Sequence, residues 1–410
     1  MADVAKAVTA CGESAAAGVP GLAAAPGEAI NEALRRMAGL LAERSGPVLA
    51  ANAADVAAGE TAGLGRGLLD RLRLDGRRIA EMARQIGLLA QAPFPPPEVP
   101  VRDLPGGLKL AERRVPVGVV GANYEARPNV TVDVASQLLK SRNAGVLRTG
   151  GAALGSAEAL FDEVISPAVA AAGLDAGALQ LVRSADRDAA LELVRRPGLI
   201  PLVILRGSGE VTRSLAAEAA RHGVRTLAHA DGGGVLYLDA AADQELAAGL
   251  ITASLDRLGV CNRLNLLLIH EASWDTLLPR ALAALQAAGV TPSLPPHPHP
   301  LGHEWALDTG QEATVTVAPA AGPVRAAQIA NEETSGLAAA VVTGDPAAAR
   351  AFLGAYRGTG AFWNATTRLL DGFKLRGVPE TGINVDHVPG PRGPVTFQDL
   401  CLRQYLVTPA

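Results

Sequence analysis

From residue 116 onward the chain alternates short, wholly apolar runs with segments long enough for helices, and this alternation restricts the architectures open to it. The runs are PVGVVGA (116–122), AGVLR (144–148), LQLV (179–182), PLVIL (201–205) and RTLAH (225–229). A strand with one solvated face alternates polar and apolar residues, whereas strands apolar throughout are buried on both faces. Separated by helix-length spacers, such runs predict a doubly wound parallel sheet, an α/β fold. A second series follows in GVLYL (234–238), LNLLLIH (264–270), ATVTV (313–317), AAAVVT (338–343) and GAFWN (360–364). Ligands of such sheets sit at the carboxyl ends of the strands.

The first hundred residues read as helices, because Ile30, Leu34, Met37 and Leu41, and then Ile79, Met82, Ile86 and Leu89, recur at helical spacing. PFPPPEVP (93–100) cannot continue a helix and reads as a rigid linker. TPSLPPHPHPLGHEW (291–305) reads as an exposed loop, and QYLV (404–407) as a final strand. A chain of 410 residues suits two or three packed domains. Its 37 Lys and Arg against 41 Asp and Glu leave no broad electrostatic footprint for nucleic acid or an anionic membrane, so any anion site must be local. Charged residues such as Asp256 and Arg280 interrupt every candidate membrane span, and the N-terminus lacks the pattern of a signal peptide. A soluble, cytoplasmic protein is expected. Cys11, Cys261 and Cys401 offer neither a disulfide framework nor metal-ligand spacing. His297, His299 and His303 could ligate zinc, but a proline-interrupted loop holds ligands poorly, so no metal site is expected.

Four segments carry chemistry-bearing residues. GVVGANYEARPNV (118–130) ends a strand in Tyr124, Glu125, Arg127 and Asn129 as a helix opens. LKSRNAGVLRTGG (139–151) places Arg148 at a strand end, before small residues that leave room for a ligand; a fixed cation there suits a ribose phosphate. ILRGSGEVTRSLA (204–216) runs from a strand through Gly207 and Ser208 into a helix, whose first N–H groups favour an anion. DRLGVCNRLNLLLIH (256–270) puts Cys261 on a short loop before a buried strand, where a thiol is accessible enough to act as a nucleophile. Cys11 and Cys401 have no such setting.

Together these segments resemble the gamma-glutamyl phosphate reductase (glutamate-5-semialdehyde dehydrogenase) family, a branch of the aldehyde dehydrogenase superfamily. The likeness runs through VLAANAAD (48–55), DRLRLDGRRIAEMA (70–83), the long stretch 114–151, LAHADGGGVLYLD (227–239), VCN (260–262) and WNATTR (363–368). It implies an aldehyde dehydrogenase fold, with a Rossmann-like cofactor domain (1–98 and 115–230) and an α/β catalytic domain (231–366). An oligomerisation flap and C-terminal segment (99–114 and 367–410) would join copies into a homodimer or homotetramer. It further implies a reaction of proline biosynthesis: a cysteine attacks an acyl phosphate made by an upstream kinase, phosphate leaves, and NADPH reduces the thioester to an aldehyde. On this resemblance Cys261 is the nucleophile, with Asn129 and the Cys261 backbone N–H facing the oxyanion. Arg148, Gly150, Gly207 and Ser208 would meet the cofactor. Tyr124, Arg127, Asn262, Arg263, Thr367 and Arg368 would meet the substrate.

The departures are concentrated at the same places. The superfamily's E-L-G-G glutamate, a base for hydrolysis, is absent from HADGG (229–233), which favours reduction of an activated acyl group. C-N-A-x-E-T has become CNRLNL, placing Arg263 and Asn265 after the nucleophile, and F-G-L-G-A-E-I-G has become FKLRGVPETGIN (373–384). These changes predict a paralogue that turns over glutamate-5-semialdehyde poorly. The alternatives are a reductase of a CoA- or carrier-linked thioester and a catalytically silent partner protein.

Overall fold

The computed structural model describes residues 2–207, 209–229, 232–308, 310–386 and 390–410. Helices fill the first ninety-one residues, and both apolar stripes are buried, one on Gly27–Glu43 and the other on Gly76–Gln91. The second helix starts on Asp75, whose carboxylate accepts the N–H of Arg78 at 2.7 Å, satisfying one of the donors a helix start leaves open. The proline-rich linker is shorter than its composition suggests, because β1 (Glu98–Leu104) begins inside it and turns back as β2 (Leu108–Pro116). β1 is exposed at all but its last residue and no residue of β2 is fully buried, and charged residues interrupt both, so neither carries the unbroken apolar run that marks the rest.

The first apolar series forms β3 (Val119–Tyr124), β4 (Ala144–Thr149), β5 (Leu179–Leu181), β6 (Leu202–Arg206) and β7 (Arg225–His229). They make one parallel sheet in the order β5-β4-β3-β6-β7. The second series forms β8 (Gly234–Leu238), β9 (Leu264–His270), β10 (Thr291–Ser293), β11 (Thr314–Ala320), β12 (Ala338–Val342) and β13 (Gly360–Trp363). Their parallel order is β10-β11-β9-β8-β12-β13. The α/β class is as the runs predicted.

A small antiparallel pair, β14 (Gly382–Asn384) and β15 (Gly393–Val395), follows, and β16 (Cys401–Pro409) returns to pair with β2. Residues 370–400 tie the two sheets together: Val378, Val395, Phe397 and Leu400 join the core of the first. Leu370 and Ile383 pack with Leu337 and Ala338 of the second. In the first sheet the winding reverses between β3 and β6, whose ends Tyr124 and Arg206 lie side by side. At such a switch point adjacent loops part and leave a crevice.

Candidate active site

Cys261 sits, half-buried, in the turn between the helix Gln244–Ala253 and β9, on the wall of a cavity of about 1010 Å³. Its carbonyl accepts the N–H of Gly233 at 2.7 Å, and Gly233 adopts φ +105°, a left-handed conformation that favours glycine. Asn262 fixes the far side of the turn, donating through Nδ2 to the Leu370 carbonyl at 2.8 Å. Arg368 in turn donates to Asn262 Oδ1 and pairs with Asp256 at 2.6 Å.

Three arginines converge on this cysteine from separate elements. Arg71, from the helix Arg66–Leu72, donates through Nε to the Gly259 carbonyl at 2.5 Å. Arg206, ending β6, donates to the Thr381 carbonyl at 3.1 Å and keeps a buried Nε without a hydrogen-bond partner. Arg127 follows Ala126, whose φ of +45° is strained for a residue with a Cβ, and precedes the helix Pro128–Lys140. All three line both the large cavity and an adjoining one of about 270 Å³ at the β3–β6 switch point. None has an ion-pair partner among the described residues. Burial, then the charges of Arg71 and Arg206, push the Arg127 guanidinium down to about 9. Burial likewise lowers Arg71, opposed by the nearby Cys261 and Glu304. Like charges gathered without a counter-ion form a site that an anion relieves, and one with two negative charges relieves best.

Two of the carboxyl groups that line the same cavity are shifted upward by burial. Burial raises Asp133, which accepts from Asn129 Nδ2 at 2.9 Å, to about 6. Burial, together with the charge of Asp371, raises Glu380 to about 7, with Arg206 opposing.

Of the residues expected at the substrate, Arg127, Asn262 and Arg368 do line the cavity, as does Asn129. Three do not. Tyr124 is fully buried in the core with its hydroxyl on Thr131 at 2.8 Å, since the end of β3 turns it toward the following helix. Thr367 is fully buried and donates to the Asn262 carbonyl at 2.8 Å, a structural tie behind the Cys261 turn. Arg263 is turned away from Cys261, its guanidinium donating to the carbonyls of Leu264, Glu312 and Thr314. Asn265 also faces inward, bonding the His303 carbonyl and the Trp305 N–H.

Arg148 is not the open strand-end cation expected. It is 4 % exposed, with its terminal nitrogens on Asn123 Oδ1 at 3.1 Å and the Asp186 carbonyl at 2.9 Å, and with Nε unpartnered. Gly150 continues that strand end, Gly207 lines the smaller cavity, and Ser208 lies outside the described residues. The 291–305 stretch is only partly a loop: it begins in β10 and ends on buried Trp305, which donates to Thr316 at 2.9 Å. His299 there bonds Ser293 and His303 pairs with Asp308. Among the described residues no group of three or more His, Cys, Asp or Glu could hold a metal, and no helix is long and apolar enough to cross a membrane. Arg71, Arg206, Asp133 and Glu380 were not singled out from the sequence. Arg71 lay unnoticed inside DRLRLD, and Arg206 inside the ILRGS turn.

The sequence profile of the Aldehyde dehydrogenase family matches residues 1–299. A curated gamma-glutamyl phosphate reductase of Moorella thermoacetica is 37% identical over 376 residues, 89% of each chain. One from Thermobifida fusca is 34% identical over 427 residues, 100% of this chain and 99% of the other. The chain belongs to the gamma-glutamyl phosphate reductase family of aldehyde dehydrogenases. The crystal structure of the Thermotoga maritima gamma-glutamyl phosphate reductase superposes with a TM-score of 0.87 at 26% identity, covering 98% of each chain. An aldehyde dehydrogenase fold and an oxidoreductase acting on an aldehyde follow from that membership, and the Cys261 turn and its arginines are the features of this member that require a chemical account.

Proposed function

We propose that this chain reduces an acyl phosphate of the glutamyl 5-phosphate type to its aldehyde through a thioester on Cys261. The observation that carries the reading is the cluster Arg71, Arg127 and Arg206, three cations without an ion pair among the described residues, beside one half-buried thiol. A phosphoryl group held there is a dianion matched to its surroundings, and its carbonyl carbon is delivered to the sulfur. The same cations neutralise the phosphate as it departs. Because Arg263 and Asn265 do not reach the cavity, neither supports a shift to a carrier-linked donor. The names of the relatives favour the glutamyl compound.

Aldehyde-dehydrogenase-type reductases use a nicotinamide cofactor, which supplies hydride when bound. The residues fit such a group. The switch-point crevice ends on Gly207, where an added Cβ would stand 3.2 Å from Glu125, and buried Arg148 carries a charge with no ion pair among the described residues. Gly207 would admit the pyrophosphate, and the Arg148 charge would favour the 2′-phosphate of NADPH. We assign residues 1–98 and 115–230 to cofactor binding, 231–366 to catalysis, and 99–114 with 367–410 to a flap and C-terminal segment. Val99, Tyr405 and Val407 are exposed on one face of the β1-β2-β16 sheet, an apolar surface suited to a second copy of the chain in a homodimer or larger homo-oligomer. Proline biosynthesis in the cytoplasm is the setting this reading implies.

Mass spectrometry after mixing the protein with acetyl phosphate tests the reading. An acetyl adduct on Cys261, absent from Arg71→Ala with Arg127→Ala, is expected; an unmodified Cys261 would contradict it.

A further inference from the structure

The reaction described above needs a proton as well as a nucleophile. The phosphate leaving an acyl phosphate is a poor leaving group unless its oxygen is protonated as the bond breaks, and arginines hold charge without supplying that proton. Six carboxyl groups line the Cys261 cavity; Asp70, Glu81 and Asp256 are ion-paired with arginines and Asp371 caps a helix, which leaves Asp133 and Glu380, whose settings differ. Asp133 lies on the helix Pro128–Lys140 with one oxygen engaged by Asn129 Nδ2. Glu380 lies just before β14, with Oε2 accepting the backbone N–H of Gly372.

The fold is built to admit the Glu380 carboxyl. A Cβ on Gly372 would stand 2.5 Å from Glu380 Oε2 and 2.7 Å from its Cβ, so no side chain other than glycine fits there. The segment is held from the other side by Gln137, which donates to the Pro379 carbonyl at 2.7 Å. With Oε2 fixed as an acceptor, Oε1 is the oxygen left to carry a proton. The charged groups facing Glu380 are Asp371 at the start of the helix Gly372–Arg376, Arg206 at the end of β6, and Cys261 across the cavity.

We propose that Glu380 is the proton donor to the departing phosphate, a catalytic role that rests on the acyl-phosphate reading. The step balances. The Cys261 thiol gives its proton to solvent, and Sγ attacks the carbonyl carbon to form the S–C bond. The C–O bond to phosphate breaks with its electron pair going to oxygen. The Oε1 proton passes to that oxygen, leaving hydrogen phosphate and a Glu380 carboxylate, which solvent reprotonates. Burial keeps the acid protonated to about 7, against an ordinary glutamate value near 4.5. The donating form is therefore full below about pH 7 and is lost as pH rises through it.

The test is single-turnover release of phosphate from acetyl phosphate by the full-length protein without cofactor, followed from pH 5.5 to 9. The wild type should show release that falls above about pH 7. Glu380→Gln should be roughly 100-fold slower at pH 6.5, within the usual range for acid catalysis, and should lose the fall above about pH 7. Asp133→Asn should keep the wild-type fall. Glu380→Asp, which keeps the acid but draws it back, should retain the fall at a reduced rate and serves where the glutamine variant does not fold. Iodoacetamide labelling of Cys261 should proceed in Glu380→Gln, which separates loss of the acid from loss of the nucleophile. A fall that survives in Glu380→Gln, a rate within twofold of wild type at pH 6.5, or a fall that vanishes in Glu380→Asp overturns the assignment. No release by the wild type at any pH overturns the acyl-phosphate reading itself, and this assignment with it.

Discussion

Replacing Gly232 by Ala probes how closely the cysteine turn is packed. A methyl there would lie 2.6 Å from the Cys261 carbonyl oxygen, 2.7 Å from Cys261 Cα and 2.6 Å from Glu304 Oε1. Two of these atoms are backbone and cannot swing aside as a side-chain end can. Reaching an ordinary contact of 3.4 Å moves the turn by 0.8 Å. Overpacking of this kind costs about 1–3 kcal/mol, and opening the neighbouring 2.7 Å bond from Gly233 N–H to the Cys261 carbonyl adds about 1 kcal/mol. A nucleophile displaced by roughly 1 Å loses on the order of 100-fold in rate. Urea unfolding and phosphate release from acetyl phosphate would measure the two effects. Gly249→Ala is the control: it lies inside the helix Gln244–Ala253, nothing stands within 4 Å of its added Cβ, and a gain of about 1 kcal/mol is expected. If Gly232→Ala matched the wild type in both stability and rate, the reasoning from this contact would be refuted.

Other perturbations separate the remaining parts of the site. Limited iodoacetamide treatment should label Cys261 before Cys11 and Cys401, because burial pushes both of the latter thiols up; equal labelling would remove the distinction. Arg127→Ala should weaken binding of inorganic phosphate, read by calorimetry, by about 1.5–3 kcal/mol, the usual loss for a charged hydrogen bond, and unchanged affinity would place the anion elsewhere. Arg148→Met should weaken NADPH more than NADH in a fluorescence titration, and equal losses would mean that its charge does not favour the 2′-phosphate.

The fold was legible where burial leaves a mark on sequence. The central strands of both parallel sheets are covered on two faces, so they read as unbroken apolar runs, and Val119 to Tyr124 and Leu264 to Ile269 are buried without exception. No residue of β1 or β2 is fully buried, so composition could not announce them. At the site, Cys261 was legible from its loop and motif. Arg71 and Arg206 were not, because a cationic cluster arises only when the end of a short helix meets the end of a strand distant in the chain. Arg263 shows the converse. It is two residues from Cys261, yet its buried guanidinium binds the carbonyls at 264, 312 and 314, so nearness in sequence gave the wrong side. With Arg263 and Asn265 facing inward, the case for a paralogue with a changed substrate narrows to the segment 373–384, whose Phe373, Glu380 and Ile383 do line the cavity.

The central claim, that this site works on a phosphorylated acyl group through Cys261, is tested most directly by running the reaction backward. The purified protein, glutamate-5-semialdehyde and oxidised nicotinamide cofactor would be assayed with and without inorganic phosphate, in the wild type and in Cys261→Ser. The account predicts cofactor reduction that requires phosphate and disappears in the serine variant. Equal reduction without phosphate, or full activity in Cys261→Ser, would contradict it.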